Sequence, residues 1–369
     1  MTSALYLGLM SGTSQDGVDA ALVEFSGLRF SRIVATHSVP YSAPLRRQLL
    51  TLARDLPPLT LRDYCTLDRA VADTFSRAAL AALKRERVSS RRVTAIGSHG
   101  QTVFHAPGLS SLQLGDPNRI AALTGITTVA DFRRKDMALG GQGAPLLPAF
   151  HHAMFADRRE RRCVVNIGGI AQITALPDTR PGSILGFDTG PGNGLLDEWI
   201  KEQRGLDYDA GGRWAASGEC DDRLLTALLR DPYFRRRTPK STGRDYFNLE
   251  WVRRRYPNLN RLPSPAVQNT LTELTAVSIT HAIERAASDT NRVLVCGGGV
   301  RNRYLMQRLS LHLAPRRVET TNAYGLDAQW VEATAFAWLA MRTMRGLPGN
   351  LPAVTGAKRA VVLGGIYKN

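Results

Sequence analysis

The sequence predicts an α/β protein of two lobes. Three observations carry this. At 369 residues the chain exceeds one compact domain. Short apolar strands alternate with helical stretches. The order strand, glycine turn, strand, helix occurs twice, starting near residue 4 and again near residue 163. The expected division is an N-terminal lobe over 1–140, joined by part of the tail 346–369, and a C-terminal lobe over 141–345.

The first half opens with strands at Ala4–Met10, Asp19–Phe25 and Arg29–Ser38. Helices follow at Leu45–Arg54 and Asp63–Lys84; in the second, Leu67, Val71, Phe75, Leu80 and Leu83 lie at roughly helical spacing. A strand at Ala95–Ser98 leads into a glycine-rich loop region reaching Gly143, and Gly140–Pro148 reads as the crossing between lobes. The second half gives strands at Cys163–Ile167, Ala171–Leu176 and Ser183–Phe187, then a helix at Gly194–Gln203. A long helix at Val267–Ala287, a strand at Arg292–Cys296 and helices at Arg303–Leu313 and Val331–Arg345 complete it. A short strand is expected at Ala360–Leu363.

Composition narrows the function classes. Hydrophobic content is 43% and charged content 22%, ordinary for a soluble globular chain. No apolar run is long enough to span a membrane, and the start MTSALYLGLMSG lacks the basic segment of a signal peptide. Cys65, Cys163, Cys220 and Cys296 are scattered and form no metal or disulfide pattern. These features point to the cytoplasm. The net charge of +16 would normally raise nucleic acid as a partner. It is mostly arginine, however, dispersed except for short clusters such as Arg158–Arg162 and Arg253–Arg255, with no aromatic stripe beside it. It reads as solvated helix faces and loops, so neither nucleic acid nor membrane is expected as a partner.

Three glycine motifs carry chemistry. In Gly8–Asp19 a strand enters Gly12, Thr13, Ser14 and Gln15, then reverses through Asp16, Gly17, Val18 and Asp19. The backbone N–H groups of such a hairpin can point at phosphate oxygens. Asp16 is placed to hold Mg²⁺, directly or through water. A plain hairpin with good turn residues explains the same letters. In Gly186–Asn193 an apolar strand ends at Phe187, Asp188 sits at its tip, and Thr189, Gly190, Gly192 and Asn193 form a turn with free N–H groups. An acid there suits general-base or metal work; the alternative is an Asx turn. In Val293–Asn302, Gly297 and Gly298 lie between a strand and a helix, where backbone can approach a flat ligand closely. The dinucleotide-binding fingerprint is not met.

Two glycine turns in separate halves, plus the later strand–helix turn, resemble the actin/hexokinase/Hsp70 (ribonuclease H-like) superfamily, whose nucleotide lies in a cleft between two lobes. The resemblance sharpens over GLMSGTSQDGVDAAL, GSHGQTVFH, LGDPNRIA, DFRRKDMALGGQGAPLLP, VNIGGIAQIT, GFDTGPGNGLLDEW, STGRDYFN and CGGGVRNRYLM. These occur in order across nearly the whole chain and resemble the motif series of the anhydro-N-acetylmuramic acid kinase family. The resemblance implies ATP with Mg²⁺, a 1,6-anhydro amino sugar as substrate, and a homodimer. It further implies hydrolytic opening of the anhydro ring and phosphorylation of O6 during cell-wall turnover. By it, Gly12–Asp19 matches the nucleotide phosphate loop and Asp188 the general base. Glu332 matches a second acid of the site; as a first-turn helix acid it has a simpler explanation in the helix dipole.

The middle motifs are expected to face the sugar. They offer His99, Gln101 and Thr102, then Asp116 and Asn118, then Asp131, Arg133 and Asp136. Arg133 could pair with the lactyl carboxylate, since a planar bidentate donor suits that group. For His99 a structural strand-end role, and for Asp131, Arg133 and Asp136 a solvated loop, remain open. Gln142, in GGQGAP, reads as a hinge or turn rather than a ligand. The competing functions are a kinase of the same fold for another anhydrosugar such as levoglucosan, a superfamily ATPase or carbamoyl-type transferase, and a basic nucleic-acid binder. The second of these commonly carries His/Asp metal motifs, and no H-x-x-x-H occurs here.

Overall fold

The computed structural model describes residues 3–369. They form two compact units, Met1–Met154 with Trp330–Asn369, and Phe155–Gln329. The chain thus passes between units at 154/155, at the end of the helix Leu147–Phe155, rather than within Gly140–Pro148. It returns just before the helix Val331–Met344, which belongs to the first unit.

The first unit contains β1 (Ser3–Ser11), β2 (Gly17–Ser26), β3 (Arg29–Pro40), β4 (Val93–Ala106), β5 (Ser110–Leu114) and β6 (Thr128–Ala130). The second contains β7 (Arg162–Ile167), β8 (Ile170–Leu176), β9 (Leu185–Pro191), β10 (Arg292–Cys296) and β11 (Arg317–Thr320). The chain's last strand, β12 (Gly365–Tyr367), returns to the first sheet. The sheet orders are β12-β6-β4-β1-β2-β3, with β5 on β4, and β11-β10-β7-β8-β9. In each unit three consecutive strands form an antiparallel meander, and the first of them pairs in parallel with a strand that follows an intervening helix. A third parallel strand extends each sheet, β6 in one and β11 in the other. The strand–turn–strand recurrence in the sequence is therefore a recurrence of topology.

In β1 the two-residue alternation sorts side chains by face. Leu5, Leu7 and Leu9 join Val71 and Phe75 in one core. Gly8 and Gly97 face the helix Val331–Met344: a Cβ on Gly8 would strike the Ala333 carbonyl, and one on Gly97 the Phe336 carbonyl. Glycine here is a close-approach device that lets a helix lie directly on two strands. The helix Leu61–Arg85 is capped by Thr60, whose hydroxyl accepts from the Asp63 N–H at 3.1 Å. It buries Leu67, Val71, Phe75, Ala79 and Leu83, but Leu80 is exposed. Five residues beyond Phe75 is about 500° of helix, so Leu80 falls about 140° off that stripe. In the second unit Cys163, Val165 and Ile167 pack against Ile279, Ile283, Leu305 and Leu309, while Trp199, Tyr233, Phe247 and Trp251 build a second core over residues 195–274.

Several elements differ from expectation. β4 runs on to Ala106, and β5, the helix Pro117–Thr124 and β6 occupy what read as a glycine-rich loop. β9 continues through Asp188 to Pro191, because β8 pairs with it as far as Ile170↔Pro191. The expected strand at Ala360–Leu363 is absent; pairing begins at Gly365, opposite Ala130. No helix among the described residues is long and apolar enough to cross a membrane.

Candidate active site

In the first unit the hairpin between β1 and β2 is a tight turn, with the Gln15 N–H donating to the Gly12 carbonyl at 3.2 Å and Gln15 at φ 52°. Among the described residues the N–H groups of Thr13, Ser14 and Asp16, in the turn itself, have no protein acceptor. A Cβ on Gly12 would meet nothing within 4 Å. Thr13 and Asp16 are exposed. Asp16 is ion-paired with Arg46, and its carbonyl accepts from the Tyr41 N–H at 3.0 Å. Asp19, beyond the turn, accepts from the Ser38 hydroxyl at 2.5 Å. The hairpin thus presents unengaged backbone donors beside a solvent-facing carboxylate, the geometry of an anion nest.

β4 carries His99, Gln101 and Thr102. His99 is buried, and its Nε2 receives the Arg133 guanidinium at 2.8 Å from Nη2 and 3.3 Å from Nε. Burial, reinforced by the Arg133 charge, holds its pKa well below the ordinary histidine value. The ring is therefore neutral, and with Nε2 accepting, its proton is on Nδ1. Arg133 also donates to the Gly143 carbonyl at 2.9 Å, so this guanidinium, expected on a sugar carboxylate, is braced by two protein acceptors. Gln101 is 1% exposed and bonds into the hairpin rather than outward. Thr102 accepts from Gln113 at 3.2 Å.

Asp116 caps the helix Pro117–Thr124, accepting from the Asn118 N–H at 2.9 Å and its Nδ2 at 3.1 Å. Asp131, at φ 61°, is paired with Arg134 at 2.7 Å. Asp136 does not face a ligand. It is 0% exposed and accepts from Gly143 N–H, Asn350 Nδ2 and Thr355 Oγ1 at 2.9, 2.7 and 2.8 Å. It ties the Gly140–Gly143 loop to the chain's C-terminal segment, which is why that loop stays within the first unit. Gln142 joins the same knot, its N–H on the Thr355 carbonyl at 2.8 Å. His99, Asp131 and Arg134 share a cavity of about 80 Å³ with Ser98, Gln113 and Tyr367. Glu332 lies in the first turn of its helix and is half-buried.

In the second unit Asp188 is held on every side. Its carboxylate accepts from Gln172 Nε2 at 3.2 Å and from the Thr242 N–H at 3.0 Å. Its N–H reaches the Lys240 carbonyl at 3.4 Å, and its carbonyl accepts from the Tyr233 hydroxyl at 2.8 Å. Lys240 is buried beneath the Tyr233 and Phe187 rings, 4.6 and 5.4 Å from their centres. Burial pulls its pKa down to about 8. Tyr233, Lys240 and Thr242 were not candidates in the sequence: they lie 45 to 54 residues from Asp188, and no local pattern links them.

The turn after Asp188 differs from its expected role. Thr189 directs its hydroxyl to the Ala171 carbonyl at 3.2 Å. The N–H groups of Gly192, Asn193 and Gly194 already donate to the Gly169, Gly168 and Gly169 carbonyls at 3.0, 2.8 and 3.1 Å. They fasten β9 to the β7–β8 turn and are not open donors. Gly190, at φ 154°, lies within β9, against Phe234. Gly297 does meet this region: at φ 84° it abuts Asn166 and Ile167, and Gly298 lies 3.8 Å from the Asn193 amide nitrogen, measured from where its Cβ would be. The ends of β7, β9 and β10 therefore converge on one glycine-lined corner.

The anhydro-N-acetylmuramic acid kinase family model matches residues 4–369. A curated anhydro-N-acetylmuramic acid kinase of Coxiella burnetii is 48% identical over 372 residues, covering 100% of this chain and 98% of that protein. One from Shewanella oneidensis is 49% identical over 371 residues, covering 100% and 99%. Among solved structures, the Acidaminococcus fermentans (R)-2-hydroxyglutaryl-CoA dehydratase component A is 11% identical with a TM-score of 0.47, covering 91% of this chain and 96% of that one.

Proposed function

Because the chain belongs to the anhydro-N-acetylmuramic acid kinase family, we propose that it uses ATP to convert 1,6-anhydro-N-acetylmuramic acid to N-acetylmuramic acid 6-phosphate in peptidoglycan recycling. The observation that carries this is the family match over residues 4–369, with near-half identity to full-length relatives of that name. Those relatives do not favour the levoglucosan alternative. The enzyme is an ATP-dependent sugar kinase.

The reaction consumes one water. Its oxygen bonds to C1 as the C1–O6 bond breaks. O6 takes the electron pair of that bond and attacks the γ-phosphorus, and ADP leaves. The proton lost by water goes to a base, and Asp188 is that base: its carboxylate is oriented by Gln172 and Thr242 and its backbone by Tyr233 and Lys240. Phosphoryl transfer is largely positioning and charge neutralisation. The Gly12–Asp19 hairpin, with its unengaged N–H groups, is the phosphate loop. In the second unit Asn193, Gly297 and Gly298 serve the nucleotide as side-chain donor and close-approach backbone, since Gly192 and Asn193 have no N–H to offer.

Mg²⁺ fits the chemistry of Asp16 in one form only. Among the described residues no group of three or more His, Cys, Asp or Glu is built to hold a metal. Mg²⁺ characteristically binds through one or two carboxylates plus substrate phosphates, so Asp16 would hold it together with ATP and exchange Arg46 for it. The ion neutralises phosphate charge when bound. On the sugar side, His99, Thr102, Asp116, Asn118 and Asp131 are polar groups available for hydroxyls. Arg133 serves the lactyl carboxylate, since a planar bidentate donor suits that group. Glu332 assists as a second acid. The protein works in the cytoplasm as a homodimer, with neither nucleic acid nor membrane as partner.

Coupled ADP release tests this reading. Anhydro-N-acetylmuramic acid should drive turnover well above that with N-acetylmuramic acid or levoglucosan. Equal or faster turnover with levoglucosan would overturn the substrate assignment.

A further inference from the structure

Gln101 was expected among the sugar-facing residues, yet its side chain turns the other way. β1 and β4 run in parallel with Leu9 opposite Ser98, so even register would set Gly100 opposite Ser11. Instead the register shifts and Gln101 stands there. Gly100, at φ 73°, takes up the extra residue. The bulge aims the Gln101 amide beneath the β1–β2 hairpin. Its Oε1 lies 2.6 Å from the Ser11 hydroxyl and 3.5 Å from that of Tyr41. Its Nε2 donates to the Gly12 carbonyl at 3.4 Å and the Thr102 carbonyl at 3.1 Å. The amide orientation is fixed by this set, since exchanging oxygen and nitrogen would face an oxygen with two carbonyls.

The consequence lies in the peptide that Gln101 grips. In a trans peptide the carbonyl of one residue and the N–H of the next point in opposite directions. The Gly12 carbonyl is drawn inward by Gln101 Nε2 and by the Gln15 N–H. The Thr13 N–H of that same peptide is therefore directed outward, where no protein group accepts it. The Ser11 hydroxyl, also within 2.7 Å of the Gly17 carbonyl, fastens the far side of the turn. Ser11 and Gln101 are 2% and 1% exposed, so neither is placed to touch a ligand.

We infer that Gln101 is a positioning residue for ATP rather than a sugar contact: by holding the Gly12 carbonyl it aims the Thr13 N–H at the nucleotide phosphates. This rests on the hairpin being the phosphate loop. The test measures ATP and sugar affinity separately for Gln101→Ala and Gln101→Glu. The glutamate variant keeps the volume and the acceptor for Ser11 but removes the donor to Gly12, so it guards against a cavity that prevents folding. Both should weaken ATP by up to about tenfold, the scale of one hydrogen bond lost from the peptide that carries the Thr13 N–H. Sugar affinity without nucleotide should change less than about twofold, since no contact to the sugar is removed. Ser11→Ala should shift ATP in the same direction by less. Parent-like ATP affinity in folded Gln101→Glu, or a loss confined to the sugar, overturns the inference. Gly12→Val separates the two ideas. If it binds ATP normally, the hairpin reading fails and this inference with it. If it abolishes ATP binding while the Gln101 variants bind ATP normally, this inference alone fails.

Discussion

Asp188→Asn is expected to fold as the parent does, to bind ATP and sugar within a few-fold, and to lose turnover by roughly 10²–10⁴, the span of a positioned base. The backbone bonds of residue 188 to Tyr233 and Lys240 do not involve its side chain and survive the change. The asparagine oxygen can still accept from the Thr242 N–H. Its new NH₂ would face the Gln172 amide, which can rotate to present oxygen instead. Shape and packing are therefore retained while the capacity to take a proton from water is lost. Ring opening and phosphorylation should fall together, because O6 becomes a nucleophile only as C1–O6 breaks. Turnover, calorimetric affinities and a melting curve decide the matter. Substantial activity in a folded variant would reduce Asp188 to a brace between β8 and the Thr242 loop.

Gly12→Val should remove ATP binding while leaving the fold and sugar affinity intact. Beyond its chain neighbours no atom lies within 4 Å of a Cβ at this position, and its backbone φ is not in the left-handed region. The added side chain strains nothing in the protein. It would instead project into open space beside the hairpin, and if the hairpin is the phosphate loop an affinity loss of about a hundredfold or more is expected, from lost charge-assisted hydrogen bonds together with steric exclusion. The neighbouring Gly17 makes the contrast: a Cβ there would run into the Val39 carbonyl, so its substitution would damage the hairpin itself. Calorimetry with ATP and a thermal melt separate these effects. Near-parent ATP affinity in folded Gly12→Val would remove the hairpin from the site.

What the sequence revealed depended on how local each signal is. β1, β2, β7 and β8 were legible because their apolar runs are bounded by glycine turns. β4 past Gly100 was not, since His99, Gly100, Gln101 and Thr102 interrupt the apolar pattern and the strand is completed only by β5 across the sheet. The second unit's turn was located correctly in sequence, but its N–H groups were read as open. The carbonyls of Gly168 and Gly169 that take them lie more than twenty residues earlier. Asp136 and Gln101 illustrate the same limit. Each is a polar residue in a motif, and only the tertiary neighbours (Asn350 and Thr355 for one, Ser11 and Gly12 for the other) show that it points inward. The surroundings of Asp188 were invisible for the same reason.

Isotope labelling tests the coupled ring opening and phosphorylation most directly. When anhydro-N-acetylmuramic acid and ATP are turned over in ¹⁸O-water, the product should carry one label on the C1 hydroxyl. None should appear in the oxygen bridging C6 and phosphorus, because that atom is the original anhydro oxygen. Mass spectrometry of the 6-phosphate before and after phosphatase treatment in ordinary water locates the label. Label retained at C6, or an unlabelled C1 hydroxyl in product analysed before anomeric exchange, would contradict water attack at C1 and with it the role assigned to Asp188.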